Sequence, residues 1–416
     1  MEAREEKGLV IASENRINKT DKGYLVPSQT GKGLYLVNVG SEPACSCPDF
    51  ETRHLPCKHI YAVEFTIRRE ERPDGTTVVT KMMRVTYGQN WPAYNMAQIH
   101  EQERFAELLR NLCDGVVTPP QERRGRPSHP LSAVVFGAAC KVYSTVSGRR
   151  AMTDLRELQA KGYMTKAPSY NSLFDYLESP ALTPLLKSLI EESASPLRSV
   201  ETDFAVDSSG FATTTYDRWF DHKWGKVRSE TKWVKAHLMC GVTTNIVTSV
   251  EVTPTESADA PKFAGLVQAT AHTFPIREVS ADKAYSSRRN LRAVNALGGV
   301  AYIPFKNRTT GMGSHSKPFD GLWNRMWAYY QFNRSEFLTH YHKRSNAETT
   351  FSMIKSKFGG AVRSKTPTAQ VNEVLLKVLC HNICVLISSL YELGLEPTFW
   401  NNRAEPPVAR QLAPMG

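Results

Sequence analysis

Between Thr202 and Phe305 the chain runs through segments that together require a mixed β-sheet with helical crossovers. TDFAVDSSGF is an apolar run closed by Ser-Ser-Gly, and it reads as a buried strand that ends at a site. KWVKAHLMCGVTT and NIVTSVEVT are rich in Val, Thr and Ile and flank a Thr-Thr-Asn turn, so they read as two further strands. DAPKFAGLVQATAHTF is an amphipathic helix with Asp259 near its N-terminus and Pro261 in its first turn. EVSADKAY is the next strand, SSRRNLRAVNALGG a helix and GGVAYIPF a last strand. An antiparallel start followed by helical crossovers predicts an α/β fold with one mixed sheet and helices flanking it.

The stretch YHKRSNAETTFSMIK, Tyr341 to Lys355, places Tyr341, Arg344, Glu348 and Lys355 at Y-x2-R-x3-E-x6-K spacing. On an α-helix at about 100° per residue all four fall within an arc of about 60°. One face would then carry a carboxylate flanked by two cations and a phenol, which suits metal-assisted phosphodiester chemistry. The competing reading is an exposed helix with ordinary charges. It loses ground because two aspartates, Asp207 and Asp282, follow apolar or small residues at expected strand ends. Each has its own alternative: Asp207 can cap a turn and Asp282 can N-cap a helix. Asp203 lies two strand repeats before Asp207 on the same face and reads as a decoy. Glu251, Glu256 and Asp259 are further acids that complete no motif.

Together, Asp207, Asp282 and Glu348 with the Tyr-Arg-Glu-Lys helix resemble the DDE transposases of bacterial and archaeal insertion sequences that bear a Y-R-E-K signature. The resemblance spans Val200 to about Leu390, and DKAYSS is similar to that family's motif around its second aspartate. It implies an RNase H-like fold and a catalytic triad of Asp207, Asp282 and Glu348 holding two divalent ions, Mg²⁺ with Mn²⁺ as an alternative. Such ions, about 4 Å apart, clamp the attacking and leaving oxygens of an in-line displacement at phosphorus. It also implies that Arg344 and Lys355 contact DNA phosphates and that Tyr341 positions the transposon end. The activity implied is binding of terminal inverted repeats, cleavage of the 3′ ends and strand transfer. The partners implied are double-stranded DNA, as element ends and target, and a second copy of the chain in a synaptic dimer. Two other readings stay open. One is a nuclease without strand transfer; the other is a domesticated, transposase-derived DNA-binding regulator. No H-E-x-x-H occurs, which sets a zinc peptidase aside.

A second signal lies near the N-terminus. Cys45 and Cys47 form C-x-C, and after nine intervening residues Cys57 and His59 form C-x-H. Three thiolates and an imidazole make a closed, structural Zn²⁺ site. The intervening PDFETRHLP reads as turn-rich, and His54 competes with His59 at less suitable spacing. GYLVPSQTGKGLYLVNVG reads as a hairpin with a Gly-Lys-Gly turn, and HIYAVEFTIRR as a helix or strand. This order, with CPDF and CKHI, resembles the SWIM zinc finger, a module associated with DNA and protein binding. Chance clustering of three of the eight cysteines within 13 residues is the weaker alternative.

These signals set an expected organisation of six parts. A small β-rich zinc-finger module spans 1–75, a helical segment 76–114 and a basic, Pro-rich linker 115–130. A helical DNA-binding region follows at 131–200, the catalytic domain at 201–390 and an extended tail at 391–416. The linker holds Arg124-Gly125-Arg126-Pro127, similar to the core of an AT-hook, with Arg124 and Arg126 as minor-groove contacts. A merely basic linker is its alternative. In 131–200, LSAVVFGAACKVYSTV, AMTDLRELQAKG, YNSLFDYLE with Ser169 as N-cap, and LLKSLIEE read as short helices. They suit either a helix-turn-helix or packing against the catalytic core.

FKNRTTGMGSHSKPFDGLWNRMW reads as a basic loop whose Trp323 and Trp327 either stack on a flipped base or pack in the core. A net charge of +11 favours an anionic partner. VLLKVLCHNICVLISSLYEL, interrupted by Lys377 and His381-Asn382, reads as a buried helix, not a membrane span. MEAREEKGLV has no apolar signal region. A reducing, prokaryotic cytoplasm and association with the nucleoid are the expectation.

Overall fold

A computed structural model describes residues 3–15, 17–29, 33–39, 43–67, 70–71, 77–78, 90–120, 127–213, 233–254, 257–306 and 320–400. The chain forms two compact units, 1–88 and 89–416. Arg124 and Arg126 lie outside the described residues, as do Glu256, the Gly31-Lys32 part of the expected hairpin turn and the tail beyond residue 400.

The first unit opens with helix α1 (Ala3–Glu14) and a four-stranded antiparallel sheet. Its strands are β1 (Asn18–Thr20), β2 (Gly23–Pro27), β3 (Leu34–Asn38) and β4 (Ala44–Cys45), in that order. The expected hairpin is β2 against β3, with Tyr24 opposite Val37. PDFETR is not a turn but helix α2 (Pro48–Arg53). Pro48 sits at the helix start, where its missing N–H is not needed, and Asp49 lies in the first turn. His54 ends α2 in the left-handed conformation at φ 54°. Helix α3 (Lys58–Ile67) settles the helix-or-strand alternative for HIYAVEFTI. It packs on α1, and Gly8 permits the approach: a Cβ there would lie 2.6 Å from the Tyr61 Cβ and 2.8 Å from the Lys58 carbonyl. A short ladder of β5 (Glu70–Glu71) and β6 (Thr77–Val78) follows α3.

The second unit begins with helices α4 (Trp91–Ile99), α5 (Glu101–Asp114), α6 (Leu131–Tyr143), α7 (Ala151–Ala160), α8 (Tyr170–Glu178) and α9 (Leu182–Ala194). Ser169 caps α8 by accepting from the Ser172 N–H at 3.1 Å. Then come β7 (Asp203–Ala212), β8 (Trp233–Gly241), β9 (Val247–Pro254), α10 (Ala260–Ala271), β10 (Glu278–Ala281), α11 (Arg288–Asn295) and β11 (Val300–Tyr302). The sheet order is β11-β10-β7-β8-β9, antiparallel across β7-β8-β9 and parallel across β7-β10-β11. This is the expected mixed, RNase H-like sheet. Helices α12 (Gly321–Phe332), α13 (Arg334–Tyr341), α14 (Ser345–Phe358) and α15 (Pro367–Leu393) close the unit.

Three expectations need correction. Asp207 is not at a strand end, because Ser208-Ser209-Gly210 stays in the β7–β8 ladder, paired with His237, Ala236 and Lys235. A continuous antiparallel partner overrides the turn preference of those residues. Tyr341 to Lys355 is not one α-helix: α13 stops at Tyr341, His342–Arg344 form a 3₁₀ turn, and α14 starts at Ser345. Trp323 and Trp327 lie on α12 rather than in a loop, and both pack against the core. The Asp320 carboxylate caps that helix by accepting from the N–H groups of Leu322 and Trp323.

Helix α15 is the spine of this unit. Among the described residues it is the one helix long and apolar enough to cross a membrane, yet 78% of its apolar window is buried in protein. It meets α6, α8, α9 and β9. Of the two readings of 131–200, packing on the core describes α6, whose residues from Val134 to Val142 are all buried. Asn382 locks α15 to its neighbours. Its amide donates to the carbonyls of Val247 (2.7 Å) and Ile190 (3.3 Å) and to Ser193 Oγ (2.9 Å), and its Oδ1 accepts from the Val247 N–H at 2.9 Å. Asn382→Leu strands these buried groups, and a urea titration should show a loss of about 2–4 kcal/mol.

Candidate active site

The β7–β10 ladder brings two of the expected carboxylates together. Ala281 pairs with Val206 in parallel register, so Asp282 leaves β10 beside Asp207 on β7. Helix α14 lies over β7 and β8 and carries Glu348 to the same place. Arg344 joins the site from the 3₁₀ turn. Its guanidinium donates to Asp207 Oδ2 at 2.7 Å and to Glu348 Oε1 at 2.5 Å. The expected phosphate contact is therefore, in this structure, the counter-ion between two of the three acids. Asp282 Oδ1 also accepts from the Lys283 N–H at 2.6 Å, so its capping alternative holds alongside its place at the site.

Electrostatics mark Asp207 as the strained member. Burial raises its pKa, and the charges of Glu348 and Asp282 push the same way, against the Ser208 N–H and Arg344. Asp207 and Glu348, joined through Arg344, and the neighbouring Asp282 offer hard oxygen donors of the kind that divalent cations take. Lys355 lies deeper on the same helix. Its ammonium donates to Ser209 Oγ at 2.6 Å and sits 5.2 Å from the centre of the Phe211 ring, and burial lowers its pKa. Tyr341 stacks loosely with the cation beside it, its ring centre 5.9 Å from the Arg344 guanidinium carbon.

Sequence reasoning missed the charge network at the start of β7 and β10. Lys343 bridges Asp203 Oδ2 and Glu278 Oε2, each at 2.7 Å. Arg277 adds a two-pronged pair to Asp203 at 2.8 and 2.6 Å, and His340 Nδ1 meets Glu278 Oε2 at 2.9 Å. Burial alone would raise Asp203; the hydrogen bonds from Arg277 and Lys343 outweigh it and hold its pKa low. Asp203 is thus an anchor for the turn that presents Arg344. The i, i+4 repeat of Asp203 and Asp207 was its only sequence signal. Lys343→Met should lower the turnover of whatever reaction the site performs by about tenfold at unchanged DNA affinity, with partial rescue by Lys343→Arg. Equal loss in both variants would show that charge is not what Lys343 supplies.

The other acidic alternatives lie elsewhere. Asp259 pairs with Lys235 at 2.5 Å and accepts from Ser208 Oγ at 3.2 Å, on the face of β7 opposite Asp207. Glu251 pairs with Lys187.

In the first unit Cys45, Cys47, Cys57 and His59 converge, all buried, with one ligand atom of each within 4.8 Å of the others. Cys45 comes from β4, Cys47 precedes α2, and Cys57 and His59 open α3. His59 Nδ1 lies 3.9 Å from Cys45 Sγ and 3.8 Å from Cys57 Sγ. Bond lengths of about 2.0 and 2.3 Å around a tetrahedral zinc put ligand atoms about 3.5–3.8 Å apart, so the set fits that ion. Hydrogen bonds, from Cys45 first and then His59 and the Ile60 N–H, lower the Cys57 thiol despite burial. His54 is exposed and outside this group.

Comparison with known proteins adds to this geometry. Residues 198–383 match the family model described as Transposase DDE domain, and residues 35–67 match the SWIM zinc finger. Among solved structures, the piggyBac transposase synaptic complex with hairpin DNA aligns over 74% of this chain and 79% of its own, at 11% identity and a TM-score of 0.36. Asp207, Asp282 and Glu348 fall within the first match; the three cysteines and His59 fall within the second.

Proposed function

We propose that this chain, an enzyme with a DDE transposase domain behind a SWIM zinc finger, cuts the 3′ ends of a mobile element and joins them to target DNA. The observation that supports the reading is the placement of Asp207 in β7, of Asp282 just past the parallel β10 and of Glu348 on α14, joined to Asp207 through Arg344, all inside the matched domain. In this reading those three carboxylates hold two divalent cations, Mg²⁺ first. When bound, the cations supply Lewis-acid stabilisation of charge at the attacking and leaving oxygens.

The chain's own residues do the rest. Arg344 neutralises Asp207 and Glu348 and is placed to contact a DNA phosphate that enters beside them. Lys355, with its pKa lowered by burial, is a second phosphate contact, and Tyr341 packs at the transposon end. Hydrolysis of one phosphodiester leaves a 3′-OH. That hydroxyl attacks a target phosphodiester at the same place and releases the target's own 3′-OH, so bond number is conserved and no protein–DNA linkage forms. The net charge of +11 suits a chain that carries two DNA segments at once. Arg124 and Arg126 are proposed minor-groove contacts, and the zinc finger holds one structural Zn²⁺ on Cys45, Cys47, Cys57 and His59. A dimer synapsing two ends is the proposed assembly, in a prokaryotic cytoplasm at the nucleoid.

The deciding experiment incubates the full chain with a duplex bearing the element's terminal inverted repeats, a supercoiled target and Mg²⁺. Defined 3′ nicks followed by joined products support the whole reading. Nicks without joining leave a nuclease, and binding without nicks leaves a regulator.

A further inference from the structure

A cavity of about 240 Å³ opens between the helices before the sheet and the segment that follows α14. Phe174 and Leu177 of α8 and Ala369 of α15 give it apolar walls, while Lys141, Arg363 and Lys365 bring positive charge. Lys141 is the informative residue. It sits on α6 at 6% exposure and also borders a smaller neighbouring hollow with Lys377. Among the described residues its ammonium has no hydrogen-bond or ion-pair partner. A lysine buried to this degree, with no such partner for its ammonium, calls for an explanation.

The acid whose charge acts on it does not provide one. Glu373, at 3% exposure, already accepts from the N–H groups of Arg363 and Ser364 at 3.0 and 2.8 Å and from Ser364 Oγ at 2.7 Å. Lys377, at 2% exposure, spends its three protons on the carbonyls of Phe358 (2.9 Å), Gly359 (2.8 Å) and Ala361 (2.7 Å). Two largely buried lysines, Lys141 and Lys377, are therefore set against one buried carboxylate that is already hydrogen-bonded elsewhere. Arg363 and Lys365 add two exposed cations at the rim, against Glu178 as the single acid lining the cavity. Burial pushes the pKa of both lysines down, that of Lys377 to about 8, against the charge of Glu373.

We propose that this cavity is an anion site, separate from the carboxylate site, that takes a phosphate group on Lys141 with Arg363 and Lys365 closing over it. The phosphate comes either from a DNA backbone or from free inorganic phosphate. The apolar walls suit an attached sugar. Only the DNA source rests on the transposase reading. A strand engaged here would lie beyond the C-terminal end of α14, the helix that carries Glu348, and so would be gripped away from the cutting site.

The test uses the full chain as wild type, Lys141→Met and Lys141→Arg. Inorganic phosphate is titrated in a thermal-shift assay. Binding of a fluorescent element-end duplex is measured across a salt series. The site is supported if phosphate raises the wild-type Tm and not that of Lys141→Met, with Lys141→Arg behaving as wild type. DNA is the source if Lys141→Met also binds the duplex about tenfold more weakly and its salt dependence falls by about one counterion. Unchanged duplex binding with lost phosphate protection assigns free phosphate. Equal phosphate shifts and equal salt slopes in all three proteins overturn the inference. If Lys141→Met does not fold, Arg363→Ala carries the same comparison. A wild type that binds no duplex defeats the transposase reading, and the phosphate titration still decides the cavity.

Discussion

Replacing Glu348 with Gln should abolish end cleavage, by on the order of 10³-fold or more, while leaving the fold and DNA binding in place. The side chain is 56% exposed, so the exchange removes a charge without opening the core. What it removes is the carboxylate that Arg344 ties to Asp207. Gln keeps the shape and a neutral oxygen, but it no longer offers the anionic ligand a divalent cation needs. It also releases Arg344, whose second contact is Glu348 at 2.5 Å. The measurement is single-turnover cleavage of labelled element-end duplex in Mg²⁺, beside a binding titration in Ca²⁺. Cleavage that survives the exchange would mean the helix contributes a different group, and the three-carboxylate site would have to be redrawn. Lost binding would point instead to a structural role.

The second large effect concerns the other unit. Cys57→Ser should release the zinc and unfold the residues around it, with no comparable effect on 89–416. Cys57 joins α3 to the thiols of β4 and the start of α2, so its loss breaks a site that draws on three elements. Structural zinc contributes on the order of 10 kcal/mol of folding free energy in small modules, more than a core of this size supplies alone. That core has about ten buried residues, and three of them are the ligand cysteines. Metal analysis of the full chain should give one zinc per wild-type chain and much less than one in the variant. Limited proteolysis should then cut within 1–88 in the variant, and in the wild type after chelation. A full zinc content in Cys57→Ser would overturn the ligand assignment.

Much of this architecture could be read from residues because local preference and tertiary context agree. The β8–β9 turn is an example: Thr243, Thr244 and Asn245 favour a reversal, and Asn245 takes φ 64°, which its short polar side chain tolerates. The buried His59 and cysteines were legible because their spacing alone implies a shared ion. What stayed hidden depended on partners distant in sequence. Ser208-Ser209-Gly210 looks like a strand end until β8 pairs with it. Nothing in HKR announces a 3₁₀ turn; Lys343 reaching Asp203 and Glu278 accompanies it. The helix start at Asp320 did carry a signal, an acid two and three residues ahead of the N–H groups it caps, but the Gly- and Ser-rich stretch before it pulled the reading toward loop. Lys141 was invisible for the same reason: its meaning lies in Glu373 and Lys377, more than 200 residues away.

Asp207 lies in β7 and Asp282 directly follows the last residue of β10, whose Ala281 pairs with Val206, so the backbones that carry the two acids keep the strand spacing of about 4.8 Å. To change it, several backbone hydrogen bonds must break together. Glu348 lies on no strand; the backbone tie nearest to it lies just past the end of α14, where the Ala212 N–H donates to the Gly360 carbonyl at 3.0 Å and the Val362 N–H to the Ala212 carbonyl at 2.8 Å. The two aspartates are a fixed jaw and the glutamate rides on the movable one. Closure of the site around DNA would then move the Glu348 end of α14 between the Lys343 anchor and the backbone tie at Gly360. Hydrogen exchange should show this as slow amides in β7 and β10 and faster ones in α14 that become protected when DNA binds.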